Sequence, residues 1–313
     1  MKKGLLAGSP PFTQLIMLIF TMVACFLLFM FIGILLAPLI TGIPIAELIN
    51  SIYGGGANQN LGLMRYLQVL HGFSLFIIPA FFAAYLFSGS AAGYLGLGRT
   101  ARVQWFGAVF LLMLAAMPCI NLLGAANEAI VFPKSMSGLE QQLKAYEEAA
   151  RQVTDLFLNV DHVGGMFFNI FMIALLPALG EEFIFRGLLQ KIFVQWTGNI
   201  HAGIIVAGFM FSLMHMQFYG FFPRWLLGIM FGYLLVWSGT IWQPVFAHFV
   251  QNTMAVSLSY LIHTETIPKE IETFGTTWSE IPITILATII CGWILWKMCH
   301  RKSTEIFSPL SIS

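Results

Sequence analysis

Long apolar runs, broken by short polar or glycine- and proline-marked stretches, dominate the chain. Eight of them read as membrane spans, at about 15–37, 66–87, 105–123, 163–195, 200–217, 222–237, 241–262 and 281–298. The predicted fold class is therefore all-α, a polytopic membrane helix bundle of about eight transmembrane helices, forming one integral membrane domain over 1–313. The first run is long enough to span and too long for the apolar region of a signal peptide. The run 163–195 amounts to about 50 Å of helix, more than one bilayer crossing. Pro177 and Gly180 are places where it can bend, and its far half is expected to project toward the cytoplasm. The stretch 134–161 differs from all of these and reads as an extramembrane amphipathic segment. Within it, 139–157 places Leu139, Leu143, Tyr146, Ala150 and Val153 at helical spacing, as a lid on the outer leaflet or a solvated loop helix. Gly228 and Gly232 form a G-x-x-x-G that suits close helix packing.

Composition sharpens this picture. Hydrophobic residues make up 58% of the chain and charged ones 9%, against roughly 25% charged in soluble domains. Mean hydropathy is +0.83. Fifteen basic and fourteen acidic residues leave a net charge of +1, which excludes an electrostatic nucleic-acid binder. Runs this long also exclude a β-barrel. Cys25, Cys119, Cys291 and Cys299 stand singly and read as apolar fillers rather than a disulfide or thiolate-metal framework.

Charge placement sets an orientation. One side collects Lys2, Lys3, Arg99, Arg102, Lys191, Lys297, Arg301 and Lys302. The other collects Glu47, Glu128, Glu140, Glu147, Glu148, Asp155, Asp161, Glu265, Glu270, Glu272 and Glu280. The basic bias places both termini in the cytoplasm, and in a bacterium the membrane is the inner one.

Ionisable groups inside apolar runs are costly and usually functional. Here they cluster. The fourth run carries Glu181, Glu182 and Arg186, the fifth ends with Phe211 and His215, and the seventh carries His248 and Asn252. Glu182 and Arg186 are i,i+4 neighbours that can pair, while Glu181 lies about 100° round the helix. Glu181 is 17 residues before Gly198 and His215 is 17 after it, so antiparallel helices put them level. The level of His248, early in its run, requires a bend or tilt. A carboxylate beside an imidazole can deprotonate a water, and a second imidazole with a carboxamide can stabilise an oxyanion. The same Glu181, His215 and His248 could instead ligate zinc with an open position for water. Residue types leave both open. His71 and His201 read as packing residues.

Several classes are missing their marks. The chain has no H-E-x-x-H, no G-x-S-x-G, no phosphate-binding loop and no aspartate inside a span.

The ordered set E-E-x-x-x-R (Glu181 to Arg186), F-x-x-x-H (Phe211 to His215) and H-x-x-x-N (His248 to Asn252) resembles the CAAX-protease and bacteriocin-processing family. That family includes eukaryotic type II CAAX prenyl endopeptidases and bacterial Abi proteins. The likeness covers about residues 165–255, and the catalytic core helices lie in 163–262. It implies an eight-helix intramembrane endopeptidase with a conical cavity open toward the cytosol and membrane. By that resemblance Glu181 and His215 activate the water, and His248 and Asn252 form the oxyanion site. Glu182 and Arg186 support the first glutamate, with Phe211 beside them. It favours a metal-free glutamate mechanism with no cofactor, zinc remaining the alternative. The implied partners are the lipid bilayer and a membrane-associated protein or peptide substrate, with no nucleic acid. Family members act in peptide maturation, bacteriocin immunity or surface display, and the sequence does not choose among them. Two rivals differ in kind: a non-catalytic immunity or scaffold protein, and a proton-coupled transporter. The second lacks the paired repeats and broken helices usual in that class.

Overall fold

A computed structural model describes residues 3–44, 60–100 and 102–300. Lys2, Glu47, Arg301 and Lys302, which enter the charge reading, lie outside the described residues. Seven helices are long and apolar enough to cross a membrane. They are α1 (Pro11–Thr41), α2 (Leu61–Ser88), α3 (Val103–Glu128), α5 (Val163–Thr197), α7 (Phe218–Ser238), α8 (Trp242–His263) and α9 (Ile281–His300). A shorter apolar helix, α6 (Ile200–Met214), completes the eight. The amphipathic helix α4 (Ser137–Leu158) stands where the heptad-like spacing places it. The chain is an integral, multi-pass membrane protein built as a helical bundle.

The apolar surfaces divide between core and lipid. On α1, Gln14, Leu18, Thr21, Gly33 and Ala37 form the buried stripe. Phe20, Leu27 and Phe31 of the same helix are each more than half exposed and face where lipid lies. Two apolar clusters form the interior. One joins α1, α2 and α5 through Leu18, Phe76, Phe183 and Leu188. The other joins α3, α7, α8 and α9 through Leu112, Met113, Phe231, Ala247 and Ile294.

Helix α5 is 35 residues long, about 52 Å at 1.5 Å per residue. Two wide π turns, Ile170–Leu175 and Phe185–Leu189, interrupt its α-helical winding. A π turn inserts a residue and rotates the following side chains, and such turns gather at functional sites. Pro177 follows the first π turn. It has no N–H to give the carbonyl four residues back, that of Ile173. Asn252 Nδ2, from α8, donates to that carbonyl at 3.1 Å, so the freed acceptor is satisfied. Gly180 is a contact point: a β-carbon there would lie 2.6 Å from Cβ of Phe76. Phe76 belongs to a further π turn, Phe73–Ile77 in α2, which is also followed by a proline, Pro79.

Helix α6 stops earlier than the apolar run that predicts it. His215 is its C-terminal cap, and Met216 takes a left-handed conformation with φ 53°. A non-glycine residue there ends the helix abruptly. Helices α6 and α7 then cross through glycines. A β-carbon on Gly228 would meet Cα of Gly208 at 2.9 Å, and one on Gly232 would meet Ile204 and Gln190 at 2.8 Å. The G-x-x-x-G reading thus has a definite partner surface.

Helix α4 packs sparingly. Phe157 is buried and Leu143 and Ala150 are half-buried, whereas Leu139, Tyr146 and Val153 are exposed. Glu147 Oε2 accepts from the Tyr219 N–H at 3.3 Å, and Asn169 Nδ2 donates to Phe157 O at 2.6 Å. These bonds fix α4 across the bundle end that carries the α6–α7 loop.

The glycine crossing is testable. Gly228→Leu overlaps Gly208 backbone and is expected to cost about 1–3 kcal/mol or more, as overpacking does. Gly292→Leu, where a side chain meets open space, is the control. A detergent thermal-unfolding comparison should lower the midpoint for the first and not the second.

Candidate active site

The second α-helical stretch of α5 presents the two glutamates to different neighbours. Glu182 is fully buried and Arg186 is 1% exposed. Arg186 Nη1 donates to Glu182 Oε1 at 2.9 Å. Its Nη2 donates to Gly228 O at 2.9 Å, and Gln190 Nε2, one turn on, donates to Gly232 O at 3.3 Å. Side chains spaced i,i+4 on α5 thus bond carbonyls spaced i,i+4 on α7. The two glycines allow this, since no side chain covers those carbonyls. The guanidinium also lies 4.7 Å from the Phe211 ring centroid and 5.4 Å from that of Phe231. An ion pair this deep carries a large desolvation cost, which its extra hydrogen bonds offset.

His248 completes this group. Its Nδ1 lies 2.9 Å from Glu182 Oε1, and a carboxylate only accepts, so Nδ1 carries the proton. The opposite nitrogen, Nε2, is 3.9 Å from Glu181 Oε2, beyond hydrogen-bond range. The ring stacks on Phe231 at 5.4 Å and 25° and meets Phe211 edge-on at 5.8 Å. His248 is therefore held from three sides, with Nε2 aimed at Glu181.

Glu181 faces a cavity of about 220 Å³. Its walls come from three helices: Gln68, His71, Leu75 and Phe76 of α2, Met172, Leu176 and Glu181 of α5, and Met214 with His215 at the end of α6. Glu181 Oε2 accepts no hydrogen bond from the described residues. His215 Nδ1 lies 2.9 Å from Phe211 O, so that nitrogen donates and Nε2 keeps a lone pair. Phe211 also meets the His215 ring edge-on at 5.2 Å. The cavity therefore offers a carboxylate oxygen and an imidazole with a free lone pair, walled by methionine, leucine and phenylalanine.

The structure separates the residues that sequence spacing grouped together. Glu181 and His215 share the cavity. His248 stands behind Glu181, and Asn252 is bonded to Ile173; neither is among the residues lining the cavity. Glu182, Arg186 and Phe211 form the buried support. As for zinc, among the described residues no three His, Cys, Asp or Glu side chains are grouped where they could hold a metal ion. Nδ1 of His248 is given to Glu182 and Nδ1 of His215 to Phe211 O, which leaves each ring its Nε2.

Sequence reasoning passed over Gln68 and Phe231. His71 read as a packing histidine, but the structure sets it on the cavity. The reason is the close contact of Gly180 with the π turn of α2, which draws the preceding turn of α2 against Glu181. A signal was present: Arg65, Gln68 and His71 repeat every third residue on an otherwise apolar span. His201, in contrast, bonds Tyr233 at the surface, Nδ1 to OH 2.7 Å.

Comparisons with known proteins fall on this same segment. The family described as Type II CAAX prenyl endopeptidase Rce1-like matches residues 164–254. The sporulation-killing factor biosynthesis protein SkfC of Bacillus subtilis is 35% identical over 88 residues, covering 26% of this chain and 17% of SkfC. The uncharacterized protein YpbD of the same organism is 32% identical over 89 residues, covering 26% of this chain and 41% of YpbD. The match thus spans less than half the length of either relative. No solved structure matches the chain. All three motifs lie inside the matched segment, and so do α6, α7 and the pairing of α5 with α8. The α2 wall of the cavity lies outside it.

Removing one partner of a buried pair strands the other charge. Arg186→Met is expected to destabilise the protein by about 3–5 kcal/mol. The check is chemical or thermal unfolding in detergent; an unchanged midpoint would contradict the structural role assigned to this pair.

Proposed function

We propose that the chain is a CAAX-protease-like intramembrane endopeptidase, hydrolysing a peptide bond of a membrane-associated protein or peptide. The observation that carries this reading is the shared cavity of Glu181 and His215, inside the segment that matches the Rce1-like family. In the proposed reaction a water sits between the Glu181 carboxylate and His215 Nε2. Glu181 takes a proton as the water oxygen attacks the carbonyl carbon. The tetrahedral oxyanion then collapses, the C–N bond breaks, and the leaving nitrogen takes up the proton. One water is consumed, and an acid and an amine result.

The surrounding groups serve this carboxylate. His248 bridges from Glu182 toward Glu181 and limits where the Glu181 side chain can rest. Arg186 balances the charge of Glu182, and Glu181 is the acidic side chain that lines the cavity among the described residues. Met172, Leu176 and Met214 give the cavity apolar walls beside these polar groups. The name of SkfC concerns biosynthesis of a killing factor; carried to this chain, it suggests a peptide matured at the membrane.

Orientation belongs to the same proposal. The cavity takes residues 68–76 of α2, 172–181 of α5 and the C-terminal end of α6, with Glu181 just past the middle of α5. It therefore lies nearer the bundle end that carries α4 than the end that carries the termini. With both termini cytoplasmic, as the basic bias proposes, the cavity sits in the outer half of the membrane. That departs from the cytosolic opening the family resemblance implies.

Two measurements follow. Membranes from cells lacking the protein, complemented with wild type or Glu181→Gln, are compared for new protein termini. Wild type should generate termini that Glu181→Gln does not, at matched expression; equal termini from both would reject the peptidase reading. For orientation, Gln141→Cys on exposed α4 is probed with a membrane-impermeant maleimide in sealed right-side-out vesicles. Labelling without permeabilisation is expected, and labelling only after permeabilisation would reverse the assigned sides.

A further inference from the structure

A second cavity, of about 680 Å³, opens on the outside of the bundle between α3 and α9. It shares no residue with the Glu181 cavity, so its occupant does not depend on the peptidase reading. The two helices meet through Leu112, Met113, Ile294 and Met298, which are buried in the second apolar cluster. Beside that seam α3 presents Ala108 and Ala115, seven residues apart on one face, and these small side chains leave the seam open. Leu111, Ile290 and Trp293 line the opening and are exposed, so the bundle itself does not cover them.

The groove has one polar end and one apolar end. Gln104 and Lys297 line the polar end, at the start of α3 and the last turns of α9. Lys297 Nζ lies 3.8 Å from the Trp293 ring centroid, so the ammonium is folded over the groove wall instead of reaching away from it. Among the described residues Lys297 forms no ion pair. In the sequence, 99–104 and 297–302 carry Arg99, Arg102, Lys297, Arg301 and Lys302 and no acid. From Gln104 to Ala115 the groove follows α3 for eleven residues, about 16 Å of helix at 1.5 Å per residue. That is close to half of a hydrocarbon core about 30 Å thick. The groove therefore has the length of one leaflet. Its charged end stands at the side of the termini, where Trp293 and Trp296 suit the headgroup level.

We propose that this groove binds one anionic glycerophospholipid of the leaflet on the side of the termini. An acyl chain lies along Ala108, Leu111 and Ala115. The Lys297 ammonium pairs with the headgroup phosphate, and the Gln104 amide donates to one of its oxygens. Charge selects the lipid. A zwitterionic headgroup brings its own cation to Lys297 and Arg102, whereas an anionic one brings none. The bound lipid bridges α3 to α9 from the outside. α3 in turn packs on α7 and α8 at Phe231 and Ala247, the residue stacked on His248 and the residue before it. The lipid thus braces the helices that enclose the buried charges.

The test uses full-length protein, delipidated in a neutral detergent and given equal amounts of dioleoyl phosphatidylglycerol and dioleoyl phosphatidylcholine. Native mass spectrometry counts the lipid each protein retains. The two lipids share acyl chains and phosphate and differ in headgroup charge. One basic side chain near a membrane surface favours an anionic lipid about fivefold. Wild type is expected to retain one phosphatidylglycerol, by at least about fivefold over phosphatidylcholine. Phosphatidylglycerol alone should also raise the thermal midpoint more than phosphatidylcholine alone. Lys297→Gln should lose about fivefold of the preference, with its midpoint in detergent unchanged. Ala108→Trp and Ala115→Trp fill the groove and should lose the retained lipid. Lys144→Gln, on α4 at the other end of the bundle, is the charge control and should keep it. Equal retention of the two lipids by wild type overturns the proposal. So does a Lys297→Gln preference within about twofold of wild type, and so does phosphatidylglycerol retained by a folded groove-filling variant. An equal loss in Lys144→Gln marks general charge attraction and overturns it too. If both tryptophan variants unfold, the Lys297→Gln result decides by itself.

Discussion

A buried charge must be answered before anything else in this bundle can be arranged. The Glu182–Arg186 pair, fully enclosed between α5 and α7, is the constraint on which the rest depends. An isolated ion at that depth would cost several kcal/mol after relaxation. The protein answers it with the Gly228 carbonyl, with the His248 imidazole and with the faces of Phe211 and Phe231. Each answer fixes a helix. Glycines bring α7 against α5 and α6. His248 pins α8, and Phe211 pins the end of α6. The position of Glu181 follows from all of these, because it is the next residue on the same helix and points elsewhere.

Two neighbouring carboxylates therefore do opposite work. Glu182 is neutralised by Arg186 and spends its Oε1 on two donors. Among the described residues Glu181 has no arginine or lysine partner, while Oε2 of each glutamate accepts nothing. A 100° step along one helix separates a structural acid from one available for chemistry. The π turns on either side of this pair allow so many side chains from one helix to reach different neighbours. Asn252 then satisfies the backbone acceptor, Ile173 O, that Pro177 leaves without its helical partner.

Much of this was legible in the sequence, because the relevant forces act through periodicity and cost. Apolar runs marked the eight membrane helices, and the amphipathic spacing marked α4. The expense of charge in an apolar run singled out Glu181, Glu182, Arg186, His215 and His248. Matched distances from Gly198 put Glu181 and His215 level, and the structure sets both on one cavity. Other features were not legible. The division of labour between His248 and His215 depends on which ring nitrogen meets which acceptor, and spacing carries no such information. The π turns leave no periodic mark. The place of His71 on the cavity was out of reach because it follows from Gly180 packing on Phe76, a contact between distant positions. The packing of α4 was also out of reach, since half of its apolar stripe faces away from the protein.

The central claim is the division between Glu181 and Glu182, and one paired measurement tests it most directly. Thermal midpoint and terminus formation are recorded on the same preparations of wild type, Glu181→Gln and Glu182→Gln. The account predicts that Glu181→Gln keeps the wild-type midpoint and forms no termini. Glu182→Gln should lose stability by a margin typical of a broken buried pair, about 3–5 kcal/mol. A Glu182→Gln protein as stable as wild type, or a Glu181→Gln protein that unfolds early or still cleaves, would contradict it.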